Sequence, residues 1–334
     1  MFGFTVVPGR VVHSVIQSSP TRISDIVREC YLLHGKGDTV NPNSYFLRFP
    51  EKPDARIIAL PAYVGGDVRV AGIKWIGSFP ANIARNVPRA SAVVVLNDYD
   101  TGYPFALLEA AQISSARTAA SAVLGAEALV GSRKAGTVGF VGAGVIARNI
   151  LNFFVAHGWD IGEILVHDQV GDYAGALAAR AHEMTGVPSS SASLGEVLAA
   201  SDVVVLATTA ASPYIVDGSA LRPEQTVLNI SLRDLGPDVI LNAQNVVDDV
   251  DHCLTAGTSP HLAEQQTGDR AFISGTLADV LTGELVLDDR RPRIFSPFGL
   301  GVLDLAVGVH VYTAAVESGQ VAATPDFFEE TERW

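Results

Sequence analysis

The sequence predicts an α/β protein with two domains, a parallel sheet covered by helices on both faces and a second domain of the α+β class. Its 334 residues suffice for about two domains of ordinary size. From about Thr137 to Asp249, short apolar runs alternate with segments of helical spacing, a pattern typical of a parallel sheet. Before Ala119 the apolar runs are joined by Gly, Pro and Asn turns, which indicates a mixed or antiparallel sheet with helices.

Individual elements follow from the same patterns. In the parallel domain the predicted strands are TVGFV, EILVHD, DVVVLATTA, TVLNIS and QNVVDDV, and the predicted helices are VIARNILNFFVAHG, DYAGALAARAHEM and SLGEVLAAS. In the other domain the predicted strands are RIIALPAYV, RVAGIKWIG and SAVVVLND. One long helix, PFALLEAAQISSARTAASAVLGAEAL, joins the domains, and another from about Val302 to Ser318 returns to the first. We therefore expect one domain at residues 1–118 with 305–334, and a second at 119–304.

Composition narrows the class of protein. Hydrophobic residues make up 48% and charged residues 18%, so a large core can be buried and the chain is globular rather than disordered. The formal net charge of -13 argues against a general nucleic-acid binder. There is no CxxC or HExxH, so we expect no metal site and no redox pair. No secretory signal or membrane-length apolar run is found, so we expect a cytoplasmic protein with no membrane partner.

A glycine-rich turn between a predicted strand and a predicted helix, GFVGAGVIARNI, predicts a dinucleotide site of the Rossmann type. Gly142 permits the tight turn, Gly144 allows a pyrophosphate to approach the backbone, and Ala147 allows close packing of helix on strand. The helix N-terminus offers free N–H groups to phosphate. Asp168 ends the next strand, where its carboxylate accepts hydrogen bonds from a ribose and repels a 2′-phosphate, so NAD is favoured over NADP.

Polar residues also end the following two strands. Thr208 and Thr209 follow one strand, and the next runs into Ser231, Arg233 and Asp234. Ligands of open α/β sheets bind at these strand ends, so the group is predicted to face the crevice near the nicotinamide. Two other readings stay open, namely a surface turn and a structural ion pair between Asp234 and Arg233.

A basic stretch stands out in this acidic chain. From Val70 to Val93 there is no acid, yet Lys74, Arg85 and Arg89 are present. The stretch is either a local anion site or a solvated face.

Motifs along the chain resemble the ornithine cyclodeaminase/μ-crystallin family. GIKWIGSFPANI, SSARTAASA, VGFVGAGVIARNI, NISLRDLGP and GLGVLDLAVG occur in the family's order over nearly the whole chain. FPANI, PRASAV, NISLRDL, HLAEQ and FSPFGLGVLDL resemble the branch that makes 2,3-diaminopropionate, the N-(2-amino-2-carboxyethyl)-L-glutamate dehydrogenases of siderophore and peptide-antibiotic pathways.

The resemblance implies a homodimer whose N-terminal domain both dimerises and binds substrate. It implies that Asp234 is catalytic, assisted by Lys74. The substrate-binding residues that it implies, with Arg89 added for its charge, are Arg48, Lys74, Arg89 and Arg117. The residues expected to bind NAD are Arg117, Gly142, Gly144, Val145, Ile146, Asp168, Thr208 and Ser231.

Three departures from the family's pattern bear on the substrate. Ile58 stands where ornithine cyclodeaminases carry a Glu for the substrate's side-chain amine, and an apolar residue cannot pair with an ammonium. Arg89 stands where a small hydroxyl residue is usual, which suits a substrate with more carboxylates. Pro297 replaces a Ser near the nicotinamide, so that contact is not expected here.

We therefore expect NAD-dependent oxidative hydrolysis of N-(2-amino-2-carboxyethyl)-L-glutamate to 2-oxoglutarate and 2,3-diaminopropionate, with Asp234 as the general base. Three alternatives remain: a cyclodeaminase-type lyase, a simple amino-acid or imine dehydrogenase, and a non-catalytic binder in the manner of μ-crystallin. Release of NADH and the identity of the product discriminate among them.

Overall fold

The chain forms two compact units in a computed structural model that describes residues 3–330 and 332–333. Unit 1 comprises Met1–Arg117 and Leu300–Trp334, and unit 2 comprises Thr118–Gly299. This division differs from the predicted one at residue 118 and at residues 300–304. A boundary at 304/305 would cut through one continuous helix, Gly301–Glu317. The roles predicted for the two domains stay predictions.

Unit 1 contains a mixed eight-stranded sheet among the described residues. Its strands are β1 (Phe4–Val7), β2 (Thr39–Val40), β3 (Tyr45–Phe49), β4 (Lys52–Val64), β5 (Val70–Ser78), β6 (Ala90–Asp98), β7 (Pro104–Glu109) and β16 (Ala322–Thr324). The order is β16-β1-β7-β6-β5-β4-β2, with β3 also paired to β4. Only the β1–β7 pair is parallel among the pairs described. The predicted mixed sheet is therefore confirmed.

One face of this sheet is covered by helices. The helices of unit 1 are α1 (Gly9–Ser18), α2 (Pro20–Gly35), the 3₁₀-helix Pro80–Arg85, the first part of α3 (Ala111–Val130) and α11 (Gly301–Glu317). Helix α11 packs on β4, β5 and β6, and α1 and α2 pack on α11. Gly72 of β5 permits this contact, because a Cβ there would lie 3.1 Å from Leu305 of α11. The covered face carries Leu60, Lys74 and Val94, which are opposite one another across three strands.

Unit 2 contains the predicted parallel sheet. Its strands are β8 (Lys134–Val141), β9 (Asp160–His167), β10 (Ser189–Ser191), β11 (Val203–Leu206), β12 (Thr226–Asn229), β13 (Gln244–Val247), β14 (Ile273–Thr276) and β15 (Arg293–Ser296). Its helices are α4 (Val145–Ala156), α5 (Gly171–Thr185), α6 (Leu194–Ala200), α7 (Pro237–Leu241), α8 (Val250–Cys253), α9 (Ser259–Thr267) and α10 (Leu277–Thr282), with the rest of α3. The order is β10-β9-β8-β11-β12-β15-β13-β14, and all described pairs are parallel. These eight described strands are mostly buried apolar runs, as parallel sheets require.

One predicted element is wrong. The run PFALLE was expected to open a long helix, whereas it forms β7, and α3 begins at Ala111. A short apolar run has no decisive period, so its partners decide its structure. Here β1 and β6 supply hydrogen bonds on both sides of β7. Helix α6 agrees with prediction, and Ser193 and Glu196 form its capping box.

Among the described residues, none of the helices combines the length and the apolar character needed to cross a bilayer.

Candidate active site

The strand order of unit 2 reverses between β8 and β11, and two predicted ligand-binding segments follow these strands. The glycine turn follows β8, and Thr208 follows β11. In open α/β sheets, ligands bind outside the carboxyl ends of the strands at such a reversal. The topology therefore places both segments where a dinucleotide would bind.

The glycine turn has the shape of a phosphate cradle. Gly142 has φ 93°, and a Cβ there would lie 2.6 Å from the carbonyl oxygen of Ala207, so only glycine fits. Gly144 is the N-cap of α4, and nothing lies within 4 Å of the position a Cβ would take. The first N–H groups of α4 have no side-chain cap, so they can donate to a phosphate. Val145 is exposed and Ile146 half-buried in that first turn.

Asp168 lies at the edge of this cradle. Its Oδ2 accepts a hydrogen bond from the backbone N–H of Ala143 at 2.8 Å, and its Oδ1 accepts from that of Val170 at 2.9 Å. Both bonds fix a carboxylate beside the turn while leaving lone pairs for a ribose hydroxyl. The residues present therefore fit an adenine dinucleotide without a 2′-phosphate.

Asp234 is fully buried in unit 2 and accepts hydrogen bonds from three hydroxyl groups. Thr208 Oγ1 donates to Oδ1 at 2.7 Å. Ser231 Oγ and Tyr214 Oη donate to Oδ2 at 2.6 and 3.0 Å. A buried charge requires such partners, so the surface-turn reading of this segment is wrong. Ser231 also accepts from the backbone N–H of Thr208, so a contact of Ser231 with NAD stays a prediction.

Arg233 does not pair with its neighbour Asp234. Its guanidinium donates to the carbonyl oxygens of Ala256 at 2.9 Å and Ala211 at 3.5 Å. No ion pair between Arg233 and Asp234 occurs within the described part of the chain. Arg233 therefore ties two loops together, and the ion-pair alternative is wrong.

In unit 1, Lys74 and Arg117 share one buried carboxylate, that of Asp304 in α11. Lys74 Nζ lies 2.6 Å from Oδ2, and Arg117 Nε lies 3.3 Å from Oδ1. Lys74 also donates to Ser114 Oγ at 3.3 Å. Over residues 3–330 and 332–333, the two Nη atoms of Arg117 donate no hydrogen bond. With both bases protonated, this cluster carries one net positive charge and unused donors, so it can bind a further carboxylate.

Burial lowers the pKa of Lys74 to about 8. The carboxylate of Asp304 raises this pKa, and the positive charge of Arg117 lowers it. Without Asp304, both remaining effects would favour the neutral amine. Asp304 therefore keeps Lys74 positively charged near neutral pH.

Two further cations lie on the same sheet face as Lys74. Strand register places Arg48 of β3 opposite Arg56 of β4, and Arg56 opposite Ser78 of β5. Arg56 and Lys74 share a face because Lys74 is opposite Leu60, four residues beyond Arg56. Arg48 is exposed, with its guanidinium 5.3 Å from the Phe46 ring, and Arg56 is half-buried.

Arg89 lies at the same end of the sheet, directly before Ala90, which is opposite Ser78. Its side chain is half-buried, and desolvation lowers its pKa. No acidic side chain of the described residues lies within ion-pair distance of it. A partly buried guanidinium without a carboxylate has the electrostatic character of an anion site.

Three polar residues of these clusters were missed from sequence, namely Asp304, Arg56 and Tyr214. Asp304 had a detectable signal, because it is the only acidic residue in the mostly apolar segment 300–316. Arg56, Ile58 and Leu60 are two residues apart along a predicted strand, and this spacing predicts that their side chains lie on the same face. Tyr214 lies in a loop and gave no signal.

Replacing Asp304 with Ala should destabilise unit 1 strongly. The change leaves Arg117 as a buried cation without its counter-charge and favours the neutral form of Lys74, and removing one partner of a buried ion pair typically costs about 3–5 kcal/mol. Urea denaturation followed by circular dichroism measures the loss. The control is Asp160→Ala, which breaks an exposed ion pair with Lys134 and should change little. Equal midpoints for the two variants would contradict a structural role for Asp304.

Comparison with known proteins supports a single family. The model of the ornithine cyclodeaminase/mu-crystallin family matches residues 15–319. The chain is 30% identical to N-((2S)-2-amino-2-carboxyethyl)-L-glutamate dehydrogenase of Staphylococcus aureus, over 87% of this chain and 89% of that protein. It is also 30% identical to alanine dehydrogenase of Archaeoglobus fulgidus, over 90% and 92% of the two chains.

Solved structures show the same fold. An archaeal alanine dehydrogenase dimer with bound NAD superposes with a TM-score of 0.87 at 24% identity, covering 97% of this chain and 100% of the other. The pyrroline-2-carboxylate reductase of Thermococcus litoralis, in complex with NADH and L-proline, has a TM-score of 0.86 at 23% identity, covering 95% and 98%. The predicted fold class is confirmed, and the predicted cofactor and enzyme class agree with these relatives. The chain belongs to the ornithine cyclodeaminase/mu-crystallin family.

Proposed function

We propose that this NAD-dependent oxidoreductase hydrolyses N-(2-amino-2-carboxyethyl)-L-glutamate oxidatively to 2-oxoglutarate and 2,3-diaminopropionate, a precursor for siderophores or peptide natural products. The observation that carries the proposal is the charge of one sheet face in unit 1. Arg48, Arg56 and Lys74 share it with Ile58, where a diamine substrate would need an acid. The S. aureus relative named for this reaction supports the assignment.

The three carboxylates of this substrate match the cations of unit 1. The Lys74, Arg117 and Asp304 cluster binds the carboxylate beside the reacting carbon, because it has one unneutralised charge. Arg89 and Arg48 bind the outer carboxylates, and bidentate arginine pairing fixes their orientation.

The chemistry requires a hydride acceptor, a water molecule and a base. Gly142 and Gly144 of the glycine turn, with Asp168, would hold NAD, which when bound would supply the acceptor for the hydride of the glutamate α-carbon. Water then adds to the resulting imine, and the carbinolamine collapses to 2-oxoglutarate and the free amine. Asp234 takes the proton from water and returns it to the departing nitrogen, a role that typically accelerates a reaction about 10²–10⁴-fold. Its hydrogen bonds to three hydroxyls support a role in proton transfer.

A simple amino-acid dehydrogenase is the second candidate, supported by the A. fulgidus alanine dehydrogenase, which has the same 30% identity. A single carboxylate would satisfy the Asp304 cluster but leave Arg89 without a counter-charge. A cyclodeaminase is disfavoured, because Ile58 is opposite Ile76 and Phe46 in an apolar stretch that cannot hold an ammonium.

Product analysis tests the proposed function. Purified protein with NAD and the tricarboxylate should release NADH, 2-oxoglutarate and 2,3-diaminopropionate in equal amounts, measured by absorbance at 340 nm and mass spectrometry. Turnover of L-alanine alone, or of ornithine without net NADH, would contradict it.

Arginine variants provide the matched control for this assay. Arg89→Ala should raise KM for the tricarboxylate, because it removes a partly desolvated cation. Arg85→Ala removes an exposed arginine of the same segment and should leave KM unchanged. Equal KM values in the two variants would exclude Arg89 from substrate binding.

The pH dependence of kcat/KM should report Lys74. Its ammonium binds the carboxylate, so kcat/KM should fall as the pH rises through about 8, where the free enzyme loses this proton. Lys74→Arg keeps the charge throughout this range, so the fall near pH 8 should disappear even if activity is lower. A fall of the same size and midpoint in Lys74→Arg would assign the titration to another group.

We further propose that the protein is a homodimer formed through unit 1. The sheet face opposite α11 exposes Tyr45, Leu47 and Trp75, which are 70%, 48% and 42% accessible. Register places all three on that one face, opposite Ala59 and Ile57. An exposed apolar face of this kind is typical of a protein interface.

Light scattering after size exclusion tests the dimer. The wild type should have about twice the chain mass of 35.2 kDa. Trp75→Glu should shift it towards monomer, because a carboxylate in the interface would be desolvated. Val286→Glu, at an exposed apolar residue of unit 2, should have no effect. A monomeric wild type would contradict the proposal.

A further inference from the structure

Asp234 cannot reach a substrate proton directly in this structure. Its side chain has zero exposure, and both carboxylate oxygens accept hydrogen bonds from hydroxyl groups. A general base must lie within hydrogen-bond reach of the proton that it removes, or be connected to it by one intermediary. One of the three hydroxyls must therefore connect Asp234 to the reacting atoms if Asp234 is the base.

Tyr214 is the best placed of the three hydroxyl residues. Ser231 is 7% exposed, so its hydroxyl is enclosed with the carboxylate. Thr208 is half-buried, and its Oγ1 already accepts from the backbone N–H of Ala210 while donating to Asp234. Tyr214 is 39% exposed, and its Oη donates to Asp234 Oδ2 at 3.0 Å. Tyr214 is therefore the most exposed of the three residues that donate to the carboxylate.

The backbone fixes this contact. The N–H groups of Tyr214 and Ile215 both donate to the carbonyl oxygen of Asp234, at 3.2 and 3.1 Å. The N–H of Gly236 donates to the carbonyl oxygen of Ile215 at 2.8 Å. Arg233 donates to the carbonyl oxygen of Ala211, at the start of the same loop. The loop that carries Tyr214 is thus bound to the segment that carries Asp234.

The phenol of Tyr214 stays protonated beside this carboxylate. Partial burial and the negative charge of Asp234 both raise its pKa. A neutral phenol has one proton to give and lone pairs that accept another. It can therefore pass a proton to Asp234 while receiving one on its outer side, with no net change in its own charge.

We propose that Tyr214 is the proton relay between Asp234 and the reacting water. The proposal rests on the proposed function, in which water adds to a protonated imine. As the water oxygen bonds to the imine carbon, the C=N π bond breaks and its electron pair moves to the nitrogen. One O–H bond of the water also breaks, and its proton passes to Tyr214 Oη. At the same time the phenol proton passes to Asp234 Oδ2.

The second half of the reaction reverses this transfer. The proton on Asp234 returns through Tyr214 to the carbinolamine nitrogen. The C–N bond then breaks, its electron pair leaves with the amine, and the hydroxyl proton is released to solvent as the ketone forms. Tyr214 and Asp234 end each turnover in their starting protonation states.

A single-turnover experiment on Tyr214→Phe tests the relay, because hydride transfer and imine hydrolysis have separate products. NADH should form at the wild-type rate, whereas 2-oxoglutarate should appear roughly 10–100-fold more slowly. The affinity of the variant for NAD, measured by fluorescence, should equal that of the wild type. This result would show that the variant is folded. A purely structural role for Tyr214 would slow both steps together.

Ser231→Ala is the matched control, because it also removes a hydroxyl that donates to Asp234 Oδ2. Ser231 is buried, so its hydroxyl does not connect Asp234 to the surface. Its 2-oxoglutarate step should be slowed less than that of Tyr214→Phe. An equal loss in the two variants, or 2-oxoglutarate formation by Tyr214→Phe within about twofold of wild type, would overturn the relay.

Failure of the proposed function gives a different result. A wild type that forms no 2-oxoglutarate from the tricarboxylate overturns that function. If it oxidises L-alanine instead, pyruvate replaces 2-oxoglutarate as the readout, because an imine is hydrolysed in that reaction as well. The comparison of Tyr214→Phe with Ser231→Ala then decides the relay in the same way.

Discussion

The carboxylate of Asp304 between Lys74 and Arg117 is the interaction on which the candidate substrate site depends. Lys74 lies on β5, Arg117 on α3 and Asp304 on α11. One buried anion therefore joins three elements of unit 1. Taking three charges out of water is costly, and the attraction repays this only with good geometry. The incomplete compensation of two cations by one anion leaves the site able to attract a carboxylate.

Unit 2 stabilises its own buried carboxylate by different means. Asp234 forms no ion pair among the described residues, and three hydroxyl groups donate hydrogen bonds to it instead. The difference has a chemical consequence. An arginine orients an anionic substrate and holds its proton firmly, whereas hydroxyl groups can exchange protons with a carboxylate. The proposed roles in binding and in proton transfer thus belong to differently built polar clusters.

Side chains on the same sheet face as Lys74 also bear on the proposed substrate. Arg48 and Arg56 extend the positive charge of its sheet face, and Ile58 removes the acid that a second amine would need. An apolar side chain excludes a substrate ammonium, because an unpaired buried charge is costly. It does not by itself select one acidic substrate over another. The proposed selectivity for carboxylates therefore depends on an absent acid as much as on the added arginines.

The sequence by itself determined the parallel sheet, the glycine turn and the position of Asp234, because these depend on local spacing and on a charge that directly follows a buried strand. Only the tertiary structure decided the partners of the buried charges. Lys74 and Asp304 are 230 residues apart, and burial demands a partner without specifying which one. It also decided that PFALLE is a strand, since neighbouring strands override an ambiguous short run. Tyr214 reaches Asp234 only because the two loops are hydrogen-bonded together.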